Sequence, residues 1–387
     1  METSADVIVV GLGAVGSAAL LALTRRGVQC VGIDRFRPPH EQGSSHGLSR
    51  IIRLCYFEHP DYVPLLRESY RLWNQLQADS PDPILRITGG LYLGTPDDPF
   101  VRGSMESARA HSLQHELLDH DALTRRFPQF SARRGEAGFY EPTAGVLFPE
   151  NGIAANLRRA AALGAQVVTS EAVQQWSATA HAVEVRTEHR TFRAASLILS
   201  AGAWMPALVP PLRNTLKVTR QVLAWFDARN DPRLSAPAMP VWVVGQPDGS
   251  GYYGFPVFSE HDSRANQPLG GRGIKLAHHK EGEGTDPDHV DRTVRPDEVA
   301  ALAAFLRDRL PAACGACPEL LDTRVCLYTS TPDHHFLLDL HKEHRNVVVV
   351  SACSGHGFKL SPAMGRAAAD LATIGRTDLP IAFLGWR

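Results

Sequence analysis

The stretch from Asp6 to Asp34 constrains the fold of this 387-residue chain more than any other part of it. It begins with a short apolar run, typical of a buried strand, and continues directly into Gly11-Leu12-Gly13-Ala14-Val15-Gly16. Apolar residues then recur at helical spacing as far as Arg26, Gly27 stands where a helix C-cap is expected, and a second apolar run ends in Asp34. The pattern predicts a strand, a helix and a second strand in one βαβ unit.

The three glycines and Asp34 indicate a bound dinucleotide. Gly11 permits a tight turn, Gly13 lets backbone N–H groups approach a pyrophosphate, and Gly16 lets the helix pack closely on the strand. The helix N-terminus favours the anion, and Asp34 can accept hydrogen bonds from ribose hydroxyls. Because a carboxylate disfavours a 2′-phosphate, we expect NAD or FAD rather than NADP.

Composition excludes several classes of function. The 40 Lys and Arg residues nearly balance the 41 Asp and Glu residues, so nothing suggests a nucleic-acid or membrane surface. No apolar run approaches the length of a spanning helix, and the first strand begins too early to leave room for a signal peptide, so we expect a cytoplasmic protein. A chain of this length is expected to form about two domains.

The cysteine and histidine patterns do not favour a metal site. The six cysteines are scattered, which is typical of reduced thiols in a long chain. Cys314 and Cys317 have the spacing of a zinc half-site or a redox pair, but no second pair accompanies them. His334-His335 and His341 with His344 are close in sequence, yet no zinc motif accompanies them either. We therefore expect no bound metal.

Two changes of pattern suggest that one domain is interrupted by another. Asp61–Gln77 has the periodicity of an amphipathic helix, short strands follow Pro83, and helical character returns near Glu150. A second excursion spans Val218–Tyr328, and its predicted elements are strands at Gln221–Phe226, Tyr252–Phe258 and Gly273–His278 and a helix at Pro296–Leu310.

The last segment returns to α/β character. It predicts a buried strand at Asn346–Val350, a glycine-rich turn at Cys353–Gly357 and a helix at Ser361–Ile374. An earlier apolar strand likewise ends in small residues around Gly202, which suits close approach to a cofactor, although a plain tight turn explains it nearly as well.

Arg50 and Arg53 are embedded in apolar residues after a loop rich in Pro, Gly, Ser and His. A buried arginine either pairs with an internal carboxylate or binds a phosphate or carboxylate of a ligand. From the sequence alone both explanations stay open.

Taken in order, these segments resemble the monomeric sarcosine oxidase family of flavoenzymes, which includes N-methyltryptophan oxidase and is related to D-amino acid oxidase. The likeness extends over nearly the whole chain. It is carried by the blocks DVIVVGLGAVGSAA, PPHEQGSSHGLSRIIR, EPTAGVLFPENG, YYGFP, GIKLAHH, RVCLYT, FLLDLHKEHRNVVV and SGHGFK. Ordered blocks of this kind are more specific than any single motif.

The resemblance implies FAD as the cofactor and an α/β fold with α+β elements. In that fold a Rossmann-like FAD-binding domain is interrupted by a substrate domain with a mixed β-sheet. The implied limits are residues 1–85, 151–217 and 330–387 for the FAD-binding domain and residues 86–150 and 218–329 for the substrate domain.

The resemblance also implies roles for single residues. Cys326 matches a cysteine that is bonded to the 8α-methyl group of the flavin, and it must ionise to attack, which requires a cationic neighbour or the electron-poor flavin ring. Lys275 matches a lysine that activates oxygen, because a fixed cation stabilises the charge that forms when dioxygen takes up its first electron. Arg53 and Lys359 match a pair that holds the substrate carboxylate.

The full set of implied positions is larger. Those implied to act in catalysis are Arg50, Arg53, Tyr253, Lys275, His279 and Lys359. Those implied to bind the cofactor are Gly11, Gly13, Gly16, Asp34, Ser45, His46, Arg50, Val173, Gly202, Cys326, Gly355, His356, Gly357 and Lys359.

The chain departs from the family pattern in three places. Leu48 replaces an acidic residue, the Ser259–Leu269 loop is longer than expected, and Trp242 stands where a smaller or more flexible pocket residue is matched. Trp242 is therefore expected to narrow or reshape the amine end of the pocket. These departures affect the expected substrate more than the expected reaction.

The resemblance implies a monomeric flavoprotein oxidase of N-methyl amino acids. Sarcosine is the first expected substrate, and with dioxygen and water it gives glycine, formaldehyde and hydrogen peroxide. The alternatives are oxidation of a cyclic or bulkier amine such as pipecolate, proline or N-methyltryptophan, and an FAD amine dehydrogenase that does not use oxygen. The glycine motif alone also allows an NAD-dependent dehydrogenase or a dinucleotide-binding protein without enzymatic activity.

Overall fold

The computed structural model describes residues 2–228, 231–258, 273–311, 318–351 and 354–386. The α-helices in this part of the chain are α1 (Ala14–Thr24), α2 (Val63–Ala78), α3 (Pro99–His111), α4 (His120–Arg126), α5 (Pro149–Ala162), α6 (Met205–Leu208), α7 (Pro296–Arg309) and α8 (Ser361–Ile374).

The strands are β1 (Glu2–Ser4), β2 (Val7–Val10), β3 (Cys30–Ile33), β4 (Arg50–Ile52), β5 (Leu85–Ile87), β6 (Gly90–Gly94), β7 (Glu116–Leu118), β8 (Ala137–Glu141), β9 (Gly145–Leu147), β10 (Gln166–Val168), β11 (Val173–Ala178), β12 (Val183–Thr187), β13 (Thr191–Ala194), β14 (Ser196–Leu199), β15 (Lys217–Asp227), β16 (Val241–Gly245), β17 (Gly251–Gly254), β18 (Gly273–His279), β19 (Glu283–Gly284), β20 (Leu320–Ser330), β21 (Leu337–Leu340) and β22 (Val347–Ser351).

The glycine motif directly follows β2, an inner strand of a six-stranded sheet with the order β10-β3-β2-β14-β22-β21. Neighbouring strands are parallel except for the β21–β22 pair. The valine-rich strands β2 and β22 are buried along their whole length, as expected of parallel strands covered on both faces. The carboxyl ends of β2, β14 and β22 therefore meet at one edge of the sheet, where a ligand can bind.

Close helix packing covers one face of this sheet. The core on that face combines apolar side chains of α1, α2, α5 and α8. Small residues make the approach of α1 and α8 possible, since a Cβ added at Gly365 would lie 2.6 Å from the backbone nitrogen of Ala19. No helix in the described ranges is long and apolar enough to cross a membrane.

The larger sheet is mixed. Its order is β19-β15-β18-β17-β16-β6-β8-β7, with β20 paired to β15, and the β16–β6 pair is parallel while the other pairs are antiparallel. Two smaller sheets have the orders β1-β13-β12-β11 and β4-β9-β5. The structure thus confirms the predicted α/β class and the mixed β-sheet, whereas the domain limits stay a prediction.

Several predicted elements agree closely with the structure. The helix expected at Ser361–Ile374 has those bounds, and the strand expected at Gly273–His278 is one residue longer. The strand expected at Tyr252–Phe258 ends earlier, at Gly254. Pro256 explains the difference, because proline has no N–H group to continue a strand ladder.

Some sequence expectations fall outside the described residues. The Cys314–Cys317 pair, the Ser259–Leu269 loop and Cys353 are among them.

Candidate active site

A cleft opens where the carboxyl ends of β2, β14 and β22 face the large sheet. The predicted site residues that line it are Gly11, Gly13, Asp34, Ser45, Arg50, Arg53, Val173, Gly202, Tyr253, His279, Cys326, Gly355, His356, Gly357 and Lys359. Gly16, His46 and Lys275 do not line the cleft. A Cβ on Gly16 would overlap the carbonyl oxygen of Gly11, and the side chains of His46 and Lys275 are buried. The fold therefore brings distant parts of the sequence to one place.

One end of the cleft has the features of an anion and ribose site. Gly11 has a φ of +87°, and a Cβ there would lie 2.6 Å from the carbonyl oxygen of Ser200, so only glycine makes this turn without strain. Helix α1 begins next to it without a side-chain cap and without an acidic residue in its first turn, so its first N–H groups remain available for an anion.

Asp34 stands at the end of β3 beside this turn. Its carboxylate accepts hydrogen bonds from the backbone N–H groups of Leu12 at 2.7 Å and Phe36 at 2.8 Å. Burial raises the pKa of Asp34, while these two donors oppose the rise. The carboxylate thus has a fixed orientation toward the cleft that Asp34 lines.

Buried polar atoms beside the cleft also fit a bound cofactor. Ser44 lines the cleft, and its buried hydroxyl has no hydrogen-bond partner among the described residues. Both ring nitrogens of His46, a residue only 1% exposed, likewise have none in this part of the chain, but His46 does not line the cleft. Unsatisfied buried polar groups are rare in folded proteins. Together with the available helix N-terminus and Asp34, the Ser44 hydroxyl fits a large polar ligand such as a dinucleotide.

Cys326 and Arg50 are in contact in the cleft. One Arg50 guanidinium nitrogen, Nη2, lies 3.5 Å from the Cys326 sulfur and donates a hydrogen bond to the Ser44 carbonyl oxygen at 2.8 Å. The other, Nη1, donates to the Ser49 carbonyl oxygen at 2.8 Å. A permanent positive charge beside a thiol favours the thiolate. A cationic neighbour, one of the two conditions under which Cys326 was expected to ionise, is therefore present.

Arg53 pairs with an internal carboxylate. Its Nη2 lies 2.7 Å and 2.6 Å from the two oxygens of Glu58, and its guanidinium packs against the rings of Tyr56 and Phe57. Burial alone would raise the pKa of Glu58, but Arg53 and the cationic groups around it hold that pKa at about 2. Of the two explanations open for a buried arginine, the internal partner applies to Arg53 in this structure.

Lys359 is the second cation at this end of the cleft. Its ammonium donates to the carbonyl oxygen of His356 at 2.8 Å and faces the Tyr56 ring. Burial, together with the positive charge of Arg53, lowers the pKa of Lys359 to about 7. Arg53 and Lys359 thus place up to two positive charges against one carboxylate, that of Glu58. The cleft can attract a further anion.

The imidazoles that line the cleft are neutral at pH 7. Burial lowers the pKa of His279 to about 4 and that of His356 to about 3. The Nδ1 atom of His356 is hydrogen-bonded to the Tyr56 hydroxyl, and its Nε2 atom lies 3.0 Å from the His334 carbonyl oxygen. Because a carbonyl oxygen only accepts, Nε2 carries the proton and Nδ1 accepts from Tyr56.

Lys275 is buried and does not line the cleft. Its ammonium donates to the carbonyl oxygens of Gly47 at 2.5 Å and Ser49 at 2.9 Å and to the Ser49 hydroxyl at 3.2 Å. The rings of Trp225 and Phe255 lie against it. Burial and then the positive charge of Arg50 lower the pKa of Lys275.

Trp242 corrects one expectation. It is 1% exposed, does not line the cleft, and packs in the core between Phe130 and Phe305. The expected narrowing of the pocket by Trp242 was therefore wrong. Neighbouring residues alternate between the faces of a strand, and it is Val243 that lines the cleft.

Sequence reasoning gave no role to two carboxylates near the site. Glu58 follows Arg53 by five positions, and Glu150 belongs to a block that carried the resemblance. An acidic residue close in sequence to a buried arginine was the signal that could have identified Glu58. Only the folded chain shows the contacts of Glu150.

Comparison with known proteins agrees with this geometry. A family model described as FAD dependent oxidoreductase matches residues 6–371. The monomeric sarcosine oxidase of Streptomyces avermitilis is 38% identical over 384 residues, which cover 98% of this chain and 97% of the relative. The N-methyl-L-tryptophan oxidase of Salmonella dublin is 34% identical over 377 residues, which cover 96% and 95%.

A solved structure is similar over the same length. NikD, described as an unusual amino acid oxidase essential for nikkomycin biosynthesis, superimposes in its open form with a TM-score of 0.83 at 26% identity, covering 99% of this chain and 97% of NikD. The similarities confirm the resemblance, the fold class and the flavin as cofactor. The chain belongs to the family of FAD dependent oxidoreductases, and its relatives include enzymes named as oxidases of secondary amines.

Proposed function

We propose that this protein is a flavoprotein oxidase that demethylates N-methyl amino acids, and that sarcosine is the first substrate to test. Sarcosine, dioxygen and water would give glycine, formaldehyde and hydrogen peroxide, a reaction in which atoms and electrons balance. The observation that carries the proposal is the pair of cations, Arg53 and Lys359, in the cleft of a chain similar to sarcosine oxidases.

The two cations suit the carboxylate of an amino acid. Arg53 offers a planar fork of donors and Lys359 a compact charge, so together they fix both the position and the orientation of a carboxylate. Since Arg53 already binds Glu58, an entering carboxylate competes with Glu58 for the same donors. Holding the carboxylate fixes the rest of a small substrate, which lowers the entropic part of the barrier.

The same charges favour the reactive form of the amine. A buried cleft with cations at one end disfavours an ammonium ion, so the substrate amine would react unprotonated. His279 and His356 are neutral at pH 7, because their pKa values lie at about 4 and 3. When bound, FAD supplies the acceptor for the two electrons and passes them to oxygen.

Gly11, Gly13 and Asp34 would hold the dinucleotide part of FAD, and the Cys326 sulfur would bond to the 8α-methyl group of the flavin. That bond would replace one S–H and one C–H bond, and the two electrons released would pass through the flavin to oxygen. The support for that bond is the contact between the Cys326 sulfur and Arg50. Lys275 would promote the reaction with oxygen, and its support is a buried ammonium close to the same loop. We also propose that the protein is a cytoplasmic monomer, which size-exclusion chromatography tests for the oligomeric state.

The proposal is tested by following the two half-reactions separately. Sarcosine added without oxygen should bleach the flavin absorption, and air should restore it with one hydrogen peroxide formed per amine. Lys275→Met should slow the return of flavin absorption in air and leave the rate of bleaching by sarcosine largely unchanged. Failure of sarcosine to bleach the flavin would contradict the proposal, and peroxide-free turnover with an artificial acceptor would indicate a dehydrogenase.

A bulkier substrate is the second candidate. Apolar side chains of Ile51, Phe57, Phe100 and Val243 line the cleft, and they could pack against a ring or a large side chain. A panel of sarcosine, N-methyltryptophan, proline and pipecolate separates the candidates by the rate of bleaching at equal concentration.

A further inference from the structure

A short segment with unusual backbone conformation lies between two opposite charges. Gly47 and Leu48 have φ values of +94° and +68°, a left-handed conformation that is costly for leucine. The segment is buried or half-buried and runs directly into β4, which carries Arg50. Strained backbone of this kind persists only where surrounding groups fix it.

Glu150 fixes this segment from one side. A single carboxylate oxygen of Glu150 accepts hydrogen bonds from the Gly47 N–H at 2.8 Å and the Leu48 N–H at 3.1 Å. Successive N–H groups in left-handed conformation form a small concave site for an anion. Glu150 lies in the first turn of α5, where the helix dipole stabilises its negative charge.

Lys275 binds the same segment from the other side. Its ammonium accepts no hydrogen bond and donates to the carbonyl oxygens of Gly47 and Ser49 and to the Ser49 hydroxyl. A Cβ added at Gly47 would lie 3.6 Å from the Lys275 nitrogen and 2.5 Å from the Leu223 side chain. The close packing leaves the ammonium little freedom to move.

The charges around Lys275 give Glu150 a second effect. Burial disfavours the ammonium, and the neighbouring Arg50 disfavours it further, so the pKa of Lys275 is lowered. Glu150 opposes both effects and is the carboxylate that favours the charged form of this lysine. Because Glu150 does not line the cleft, it would act through Lys275 rather than on a substrate.

We infer that Glu150 is a positioning residue for Lys275, because it anchors the Gly47–Ser49 segment whose carbonyl oxygens hold the lysine ammonium. The inference rests on the proposed function, since Lys275 is proposed there to promote the reaction with oxygen.

The first test measures reoxidation without any amine. The purified holoprotein is reduced with light in the absence of oxygen and mixed with aerated buffer, and the return of flavin absorption is followed. Glu150→Ala should slow the return of flavin absorption at least about ten-fold, because removal of one donor that stabilises a developing charge directly costs about 10²–10³-fold in rate. Glu150→Gln keeps an acceptor for both N–H groups but no charge, so its rate should lie between those of wild type and Glu150→Ala.

Asp121→Asn is the matched control. Asp121 is likewise an acidic residue in the first turn of a helix, α4, but it is exposed and does not line the cleft. This variant should reoxidise at the wild-type rate. Glu150→Ala within two-fold of wild type would overturn the inference, and so would an equal loss in the rate of reduction by the amine.

The second test needs neither an amine nor oxygen. Thermal unfolding of the holoprotein is compared for Glu150→Gln, Lys275→Met and the double variant. Substitutions at residues that touch each other or share a partner do not have additive effects on stability. Glu150→Gln should therefore lower Tm by about 2 °C or more when Lys275 is present and by clearly less in the Lys275→Met background. Equal losses in the two backgrounds would refute the coupling. A positive result would stand even if sarcosine were not the substrate.

Discussion

Lys359 is the group in the cleft whose charge changes most easily near neutral pH. Its pKa is lowered to about 7, whereas those of Glu58, His279 and His356 lie at about 2, 4 and 3. Between pH 6 and 9 the carboxylate therefore stays ionised and the imidazoles stay neutral. The charge that faces an entering anion in this range depends on Lys359.

This gives a pH prediction for anion binding. A bound carboxylate favours the ammonium and raises the pKa of Lys359, so affinity is full below pH 7 and falls as pH rises above the pKa of the free cleft. The dissociation constant of methoxyacetate, read from changes in flavin absorption, should rise by up to about ten-fold per pH unit above 7. Lys359→Met should bind weakly and without this dependence. The same pH dependence in that variant would show that another group titrates.

Cys326 gives the second prediction. Its sulfur contacts Arg50 and is buried, so of the cysteines in the described residues it is the one placed against a cation in the cleft. Acid precipitation of the wild type should leave yellow colour in the pellet, and Cys326→Ala should release it to the supernatant. Cys30→Ala, a buried cysteine outside the cleft, is the control and should keep its colour. Colour in the Cys326→Ala pellet would place the bond elsewhere.

Helix packing imposes its own constraint on the cofactor-binding edge. Helix α8 approaches α1 so closely that a Cβ at Gly365 would lie 2.6 Å from the Ala19 nitrogen and 2.8 Å from the Ala18 Cβ. Both neighbours belong to a helix in the core and cannot move independently. The position of α1, and with it the glycine turn, depends on this contact.

Gly365→Ala should therefore destabilise the protein although alanine favours a helix by about 1 kcal/mol over glycine. Overpacking costs about 1–3 kcal/mol, and an approach of 2.6 Å to backbone places this change in the upper half of that range. After the helix gain, the free energy of unfolding in urea should fall by about 1–2 kcal/mol. Gly284→Ala is the control, because nothing lies within 4 Å of its added Cβ. A Gly365→Ala variant as stable as this control would show that the helices can separate at little cost.

Local sequence patterns predicted the helices, strands and turns well, and they predicted contacts between distant residues less well. The C-terminal helix followed from alanine-rich periodicity, and the glycine turn from spacing, because both depend on near neighbours in sequence. The contact of Glu150 with Gly47 spans 103 positions, and whether Trp242 faces the cleft or the core depends on strand register. Neither can be read from a single sequence without a template for the fold.

The cleft joins the two largest sheets of the molecule. Gly11, Gly13 and Asp34 come from the six-stranded sheet, whereas Tyr253, His279 and Cys326 come from the large mixed sheet. A dinucleotide that extends between these groups contacts both sheets at once. Binding energy then contributes directly to the stability of the whole fold, because the unfolded chain has no such site.

Covalent attachment changes how that stability depends on free FAD. If Cys326 holds the flavin as proposed, the flavin cannot leave the wild type, so its Tm should not change when FAD is added. In Cys326→Ala the flavin exchanges, and binding adds about 2.7 kcal/mol when free FAD is 100 times its dissociation constant. Its Tm should therefore rise steadily with FAD concentration, as followed by circular dichroism. If the Tm of a yellow Cys326→Ala protein does not change with added FAD, the cofactor bridges the two sheets too weakly to stabilise them. If the Tm of the wild type rises with added FAD, the bond to Cys326 does not form.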